Sequence, residues 1–224
     1  MTLDLAVLVS GGGSNLQSII DKVEAGLLDA RIRLVFSNKP EAFGLERARR
    51  HGIPQASFLH TEFPDRKSFD REVVRVIRDH GADTLALAGY MRLLTPWFLE
   101  QFPGRVINIH PALLPSFPGV HGQADAAAYG VKLSGCTVHF VNEVMDNGPV
   151  IIQAAVPALP KDDGSSLGAR ILEYEHRIYP QALAWFAQGR LAVDGRKVVL
   201  RDDDRPKAQL HAPALVNPPL EEGF

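Results

Sequence analysis

Apolar positions along the 224-residue chain fall into two alternating kinds of run. Leu3–Val9 is a short β-branched stretch, and after the loop Ser10-Gly11-Gly12-Gly13-Ser14-Asn15 the residues Leu16, Ile19, Ile20 and Val23 recur at helical spacing. The same alternation predicts strands at residues 32–37, 55–59 and 84–88 and at Val106–His110, with helices at 44–51 and 68–80 between them. Strands spaced by helices imply right-handed crossovers and an α/β fold: a mostly parallel, doubly wound sheet with helices on both faces. Further on, the pattern predicts a helix at Gly122–Tyr129 and a strand pair at 136–141 and 150–156. A helix at 167–188, kinked at Pro180, and a hairpin of Leu191–Asp194 and Lys197–Leu200 through Gly195-Arg196 follow. The C-terminal portion is therefore antiparallel. A folded body at 1–200 and a loosely packed tail at 201–224, rich in proline and charge, complete the expectation.

With 46% hydrophobic and 22% charged residues, the chain can bury a full core as one globular domain. The net charge of −2 and the lack of any Lys/Arg block argue against a nucleic-acid partner. Cys136 is the only cysteine, which excludes a disulfide framework or thiolate metal cluster and fits a reducing cytoplasm. Leu3–Val9 is too short for a membrane span, and Asp4 interrupts it.

Against this background the stretch from Val106 to Pro115 stands out, because an apolar strand runs directly into reactive side chains. Alternation sends Val106, Asn108 and His110 to one face and Ile107 and Ile109 to the other, at the carboxyl edge where open α/β sheets bind ligands. A lone histidine at a strand end is more often structural. An asparagine beside it changes the odds, because a strand disfavours Asn and a buried amide needs several partners. Pro111 and Pro115 predict an extended, stiff exit.

The glycine loop can bring backbone N–H groups to an anion at a helix start. It lacks the lysine of a Walker A loop and has Leu16 where a dinucleotide fingerprint has its third glycine; Ser37-Asn38 stands where a ribose-binding acid would be. A small phosphorylated ligand fits better than NAD. Met91, Leu93 and Leu94, after Gly89, suit either an apolar slot for a flat ring or ordinary core packing. Asp146-Asn147-Gly148 is first a turn signal. Glu173 and His176 have the spacing of a metal motif, but one copy alone reads as a solvated helix face.

Taken together and in order, Ser10 to Leu16, Phe36-Ser37-Asn38, Ala88 to Arg92, Asn108 to Pro115 and Asp146 to Pro149 resemble the phosphoribosylglycinamide formyltransferase family of folate-dependent transformylases, over about residues 3–189. The resemblance implies transfer of the formyl group of 10-formyltetrahydrofolate to the amine of glycinamide ribonucleotide in purine synthesis. It implies that Asn108 donates to a tetrahedral oxyanion, that His110 stabilises it as imidazolium and helps move a proton, and that Asp146 favours the charged imidazole. It further assigns Gly12, Gly13, Ser14 and Asn15 to the ribotide phosphate and Glu175 to the amine end. Arg66, Met91, Arg92, Leu93, Leu94, Asn108 and Val141 fall on the folate side, with no metal. The implied protein is cytoplasmic, a monomer or homodimer, with small-molecule partners and neither nucleic acid nor membrane. The segment His121 to Asp125 departs from some members in lacking a second histidine and a basic residue.

Two relatives of this chemistry compete. A methionyl-tRNA formyltransferase usually has a further carboxyl-terminal RNA-binding domain and a basic surface. A hydrolase releasing formate from the same folate usually has an amino-terminal regulatory domain, whereas this sequence begins at its first strand. A non-catalytic nucleotide-binding module would leave Asn108, His110 and Asp146 without a purpose.

Overall fold

The computed structural model describes residues 2–201, 209–211 and 213–224. They form two compact units, one of residues 2–108 with Val141–Glu143 and the other Ile109–Phe140 with the described part of Val144–Phe224. The sequence pattern suggests one domain and carries no signal for this division, which falls inside a strand.

The first unit holds β1 (Leu3–Val9), α1 (Ser14–Glu24), β2 (Ala30–Ser37), α2 (Phe43–Arg50), β3 (Gln55–Ser57), α3 (Arg66–Asp79), β4 (Thr84–Leu87), α4 (Pro96–Glu100) and the start of β5 (Val106–His110). Its strands lie in the order β3-β2-β1-β4-β5, every pair parallel. The chain winds outward from β1 on one side and returns to β4 on the other, so the switch point lies between β1 and β4. Their carboxyl ends lead into the glycine loop and the segment from Gly89 to Leu94. An open α/β sheet leaves its ligand crevice at such a point, because the two loops leave in opposite directions. Leu8, Phe36, Phe69, Val73, Ile77, Leu85 and Phe98 fill the core. The short α4 is not anticipated by periodicity. Thr95 caps it, its hydroxyl accepting from the Phe98 N–H at 3.2 Å, and Pro96 supplies the first turn.

The second unit holds α5 (Gly122–Tyr129), β6 (Leu133–Phe140), β7 (Val150–Pro157), α6 (Gly164–Ala187), β8 (Leu191–Asp194), β9 (Lys197–Leu200), β10 (Gln209–His211) and β11 (Ala214–Asn217). The pairs β6–β7, β7–β11, β10–β11 and β8–β9 are antiparallel, as expected of the C-terminal portion. The fold as a whole is thus a mostly parallel open mixed sheet with helices, antiparallel toward its C-terminus. Asp163 caps α6 by accepting from the Ser165 and Ser166 N–H groups, and the helix runs on through Pro180.

Two expectations need correction. The segment after His110 is not extended: Ser116 N–H bonds back to Leu113 carbonyl at 3.0 Å, closing a turn. Of the tail expected to pack loosely, residues 202–208 and 212 lie outside the described residues, but Ala214–Asn217 pairs with β7 and Ala214, Val216 and Leu220 are buried. Alternate apolar side chains made that strand possible in spite of the proline and charge around it.

Candidate active site

In the second unit, β5 ends on His110, which is buried at 3% exposure. Its Nε2 lies 2.8 Å from the Phe117 carbonyl. A carbonyl only accepts, so Nε2 carries the hydrogen and donates it. The other ring nitrogen, Nδ1, faces Asp146 Oδ2 at 3.5 Å, an ion-pair distance and too long for a strong hydrogen bond. The turn signalled by Asp146-Asn147-Gly148 therefore does reach the histidine. Oδ2 also accepts from the Gly119 N–H at 2.7 Å, so one carboxylate oxygen ties the 117–119 loop to the β6–β7 connection.

A second imidazole completes this cluster. His139 on β6 is buried, donates Nδ1–H to its neighbour's carbonyl at Phe140 (2.8 Å), and sets Nε2 3.8 Å from Asp146 Oδ1. Burial pushes the His139 pKa below its ordinary value, outweighing the upward pull of the Phe140 carbonyl and Asp146. Asp146 thus stands between two rings. Nothing in the pattern of β6 distinguishes His139 from a core residue, which is why sequence reasoning missed it.

The loop after His110 is pinned from behind. Thr137 Oγ1 donates to the Ala112 carbonyl at 2.7 Å and accepts from the Leu114 N–H at 3.1 Å, while Gln153 Nε2 donates to the Leu114 carbonyl at 3.0 Å. Gly122 opens α5 so close to the ring that a Cβ there would lie 3.3 Å from His110 Nε2 and 3.1 Å from the Phe117 carbonyl oxygen. Glu175 on α6 is buried. Burial first, and then the Glu175 charge, push the Cys136 thiol well above its ordinary pKa, so that thiol is no nucleophile.

In the first unit Asn108 stands on β5 two residues before His110 and is half-buried, its Cα paired in register with Leu87 of β4. Ser10 ties three strand ends together: its N–H donates to the Gly89 carbonyl at 3.1 Å, its hydroxyl donates to Asn38 Oδ1 at 2.5 Å, and it accepts from the Met91 N–H at 2.8 Å. Ser10 and Asn38 were legible only as loop residues. Gly13 has φ +68° and precedes Ser14 and Asn15 at the start of α1.

On the same unit Met91 and Leu93 are 60% and 51% exposed, which removes the core-packing reading for both, while Leu94 packs partly against the core. The Arg92 guanidinium lies 4.5 Å over the Phe69 ring, and its buried Nε has no hydrogen-bond partner. Burial, and then the Asp70 charge, raise the neighbouring Tyr90 phenol against the pull of Arg92 and Arg66. Arg66, at the first turn of α3, and Arg92 therefore sit in one neighbourhood. Val141 is tied by its N–H to the Val106 carbonyl at 2.9 Å. A separate cavity of about 520 Å³ is walled by Pro40, Phe43, Glu46 and Ser57 among others, and none of the expected site residues lines it.

No group of three or more His, Cys, Asp or Glu suited to a metal ion occurs among the described residues, and Glu173 is exposed on α6. No described helix is long and apolar enough to cross a membrane.

Comparison with known proteins shows the family of the chain. The family model described as formyl transferase matches residues 3–183. The chain is 45% identical over 189 residues to phosphoribosylglycinamide formyltransferase of Escherichia coli, covering 84% of this chain and 89% of that protein. Glycinamide ribonucleotide transformylase 1 of Symbiobacterium toebii superposes with a TM-score of 0.88 at 46% identity, over 90% of this chain and 95% of that one. A formyltetrahydrofolate deformylase of Pseudomonas syringae superposes at 0.83 with 28% identity, over 90% of this chain and 67% of the other. On the span of the family match and the identity to these relatives, the chain belongs to the formyl transferase family.

Proposed function

We propose that this chain transfers the formyl group of 10-formyltetrahydrofolate to the amine of 5'-phosphoribosylglycinamide, giving formylglycinamide ribonucleotide and tetrahydrofolate in de novo purine biosynthesis. The observation that carries the reading is the Asn108-x-His110 strand end with the Asp146 carboxylate 3.5 Å from the ring. It supplies an amide donor, an imidazole and a carboxylate beside that imidazole.

The amine nitrogen attacks the formyl carbon and the carbonyl oxygen takes up the electron pair; the attacking nitrogen then gives up a proton, the carbonyl re-forms, and the bond from carbon to the folate nitrogen breaks as that nitrogen gains a proton. Asn108 donates a hydrogen bond to the developing oxyanion, worth on the order of 10²–10³ in rate for such a donor. His110 stands beside it as the candidate proton-transfer group, with the Asp146 carboxylate 3.5 Å from its Nδ1. In the structure Nε2–H is engaged by the Phe117 carbonyl. Proton delivery from that nitrogen requires the carbonyl to give way, as catalytic hydrogen bonds rearrange when substrate arrives.

Gly12, Gly13, Ser14 and Asn15 are read as the phosphate cradle, and Glu175 as the partner of the glycinamide amine. Arg66, Met91, Arg92, Leu93, Leu94 and Val141 are read as the folate side. Two exposed apolar side chains beside cations suit a flat ring carrying carboxylates. No metal takes part in this scheme.

The deformylase likeness keeps a hydrolase as the second reading. A spectrophotometric assay with 10-formyl folate, run with and without the ribotide, decides between them. Loss of the formyl group only when the ribotide is present supports the transferase, and equal loss without it establishes the hydrolase.

A further inference from the structure

We propose that Arg47, together with Gly44, is a positioning residue that holds the glycine loop in the conformation needed for the ribotide phosphate; this rests on the function proposed above. The Gly11 carbonyl accepts from the Gly44 N–H at 3.0 Å, and the Gly12 carbonyl accepts from Arg47 Nε at 2.8 Å. A peptide group is planar and trans, so its N–H points opposite to its C=O. Drawing two successive carbonyls to α2 therefore turns the N–H groups of Gly12 and Gly13 away from α2. An anion requires such donors with no carbonyl among them. Released from α2, the same loop could present either edge.

The approach is possible only because both chains are bare at the crossing. A Cβ on Gly13 would lie 2.7 Å from Gly44 Cα, and one on Gly44 would lie 2.8 Å from Val9 Cγ2. Arg47 is itself fixed at two further points: Nη1 donates to Gln17 Oε1 on α1 at 3.1 Å, and the guanidinium stacks 5.1 Å from the Phe43 ring centroid. Gln17 in turn donates Nε2–H to Asp21 at 2.9 Å, which orients the amide oxygen toward Arg47. A lysine could reach one of these acceptors but lacks the planar fork that serves both.

The test uses the full chain with Arg47→Met, Arg47→Lys and Gln17→Leu, measuring kcat, the KM for each substrate and the affinity for inorganic phosphate by titration. Arg47→Met should raise the ribotide KM and weaken phosphate binding by about tenfold, the effect of losing one charged hydrogen bond. The folate KM should stay within about twofold. Arg47→Lys should recover part of the loss, and Gln17→Leu should move the ribotide KM in the same direction by less. An unchanged ribotide KM and phosphate affinity, or an equal rise in both substrates' KM, would overturn the proposal. If the unaltered chain shows no ribotide-dependent transfer, the functional reading fails instead, and the phosphate titrations still judge Arg47.

Discussion

Phe117 and Asp146, the two non-glycine residues with left-handed backbone among those described, at φ 53° and 50°, place oxygens at opposite nitrogens of the His110 ring. Such a conformation costs on the order of 1–3 kcal/mol for a bulky residue and persists where its surroundings over-determine it. Asp tolerates it better than Phe, since its side chain can bond locally. Here the Gly119 N–H on Asp146 and the Tyr129 ring, edge-on to Phe117 with centroids 5.8 Å apart, hold the two in place.

Asp146→Asn separates charge from shape. Asn accepts the left-handed backbone and can still take the Gly119 N–H, so the fold should persist with turnover reduced about a hundredfold. Without the carboxylate, the His110 ring loses the charged neighbour 3.5 Å from Nδ1, and the loss should fall on kcat. An unchanged kcat would reduce Asp146 to a turn residue.

Asn108→Ala and His110→Ala should each lower kcat by on the order of 10²–10³ while leaving a folded chain, checked by near-ultraviolet dichroism beside the assay. Near-normal turnover in either folded variant would remove that residue from the mechanism.

Asn15→Asp adds a negative charge at the start of α1 where a phosphate is proposed to sit, and Asn15 is buried. The ribotide KM should rise at least about tenfold with the folate KM little changed. Equal loss for both substrates would make the loop merely structural. Gly13 is a poorer probe, since any side chain there collides with Gly44.

His139 sets a pH limit on stability. Its folded-state pKa lies below the ordinary 6.5, chiefly through burial, so in the window between the two the unfolded chain binds the proton and the folded chain does not. The stability associated with neutral His139 is complete above about pH 6.5 and is lost as pH falls through the folded value. His139→Asn keeps a donor for the Phe140 carbonyl and does not titrate, and denaturant unfolding from pH 7.5 to 5 should show a shallower loss for it. Identical slopes would show that His139 does not carry the acid limb.

Gly148→Ala tests the connection behind Asp146. A Cβ at Gly148 would lie 1.6 Å from the Phe140 carbonyl oxygen, an overlap that only backbone movement can relieve. A loss of about 3 kcal/mol or more in denaturant unfolding is expected. A loss below about 1 kcal/mol would mean the turn shifts freely.

The parallel layout, the glycine loop, the Asn108-x-His110 strand end and the antiparallel C-terminal region were legible in the sequence, because period-2 and period-3.6 apolar patterns and glycine or proline breaks are local properties of the chain. Asp146 was legible only as a turn residue or through resemblance, and His139, Ser10 and Arg47 not as site residues at all. Ser10 takes its place from Asn38 and Met91, 28 and 81 residues away, and Arg47 from Gly12, 35 away; no local period encodes such pairings. The turn after His110 and the strand Ala214–Asn217 were misread for the same reason. Proline limits φ and removes a donor, but whether the freed backbone bends or runs straight was decided by Thr137 and Gln153. The unpaired edge of β7 in turn decided that a proline-rich terminus would form a strand.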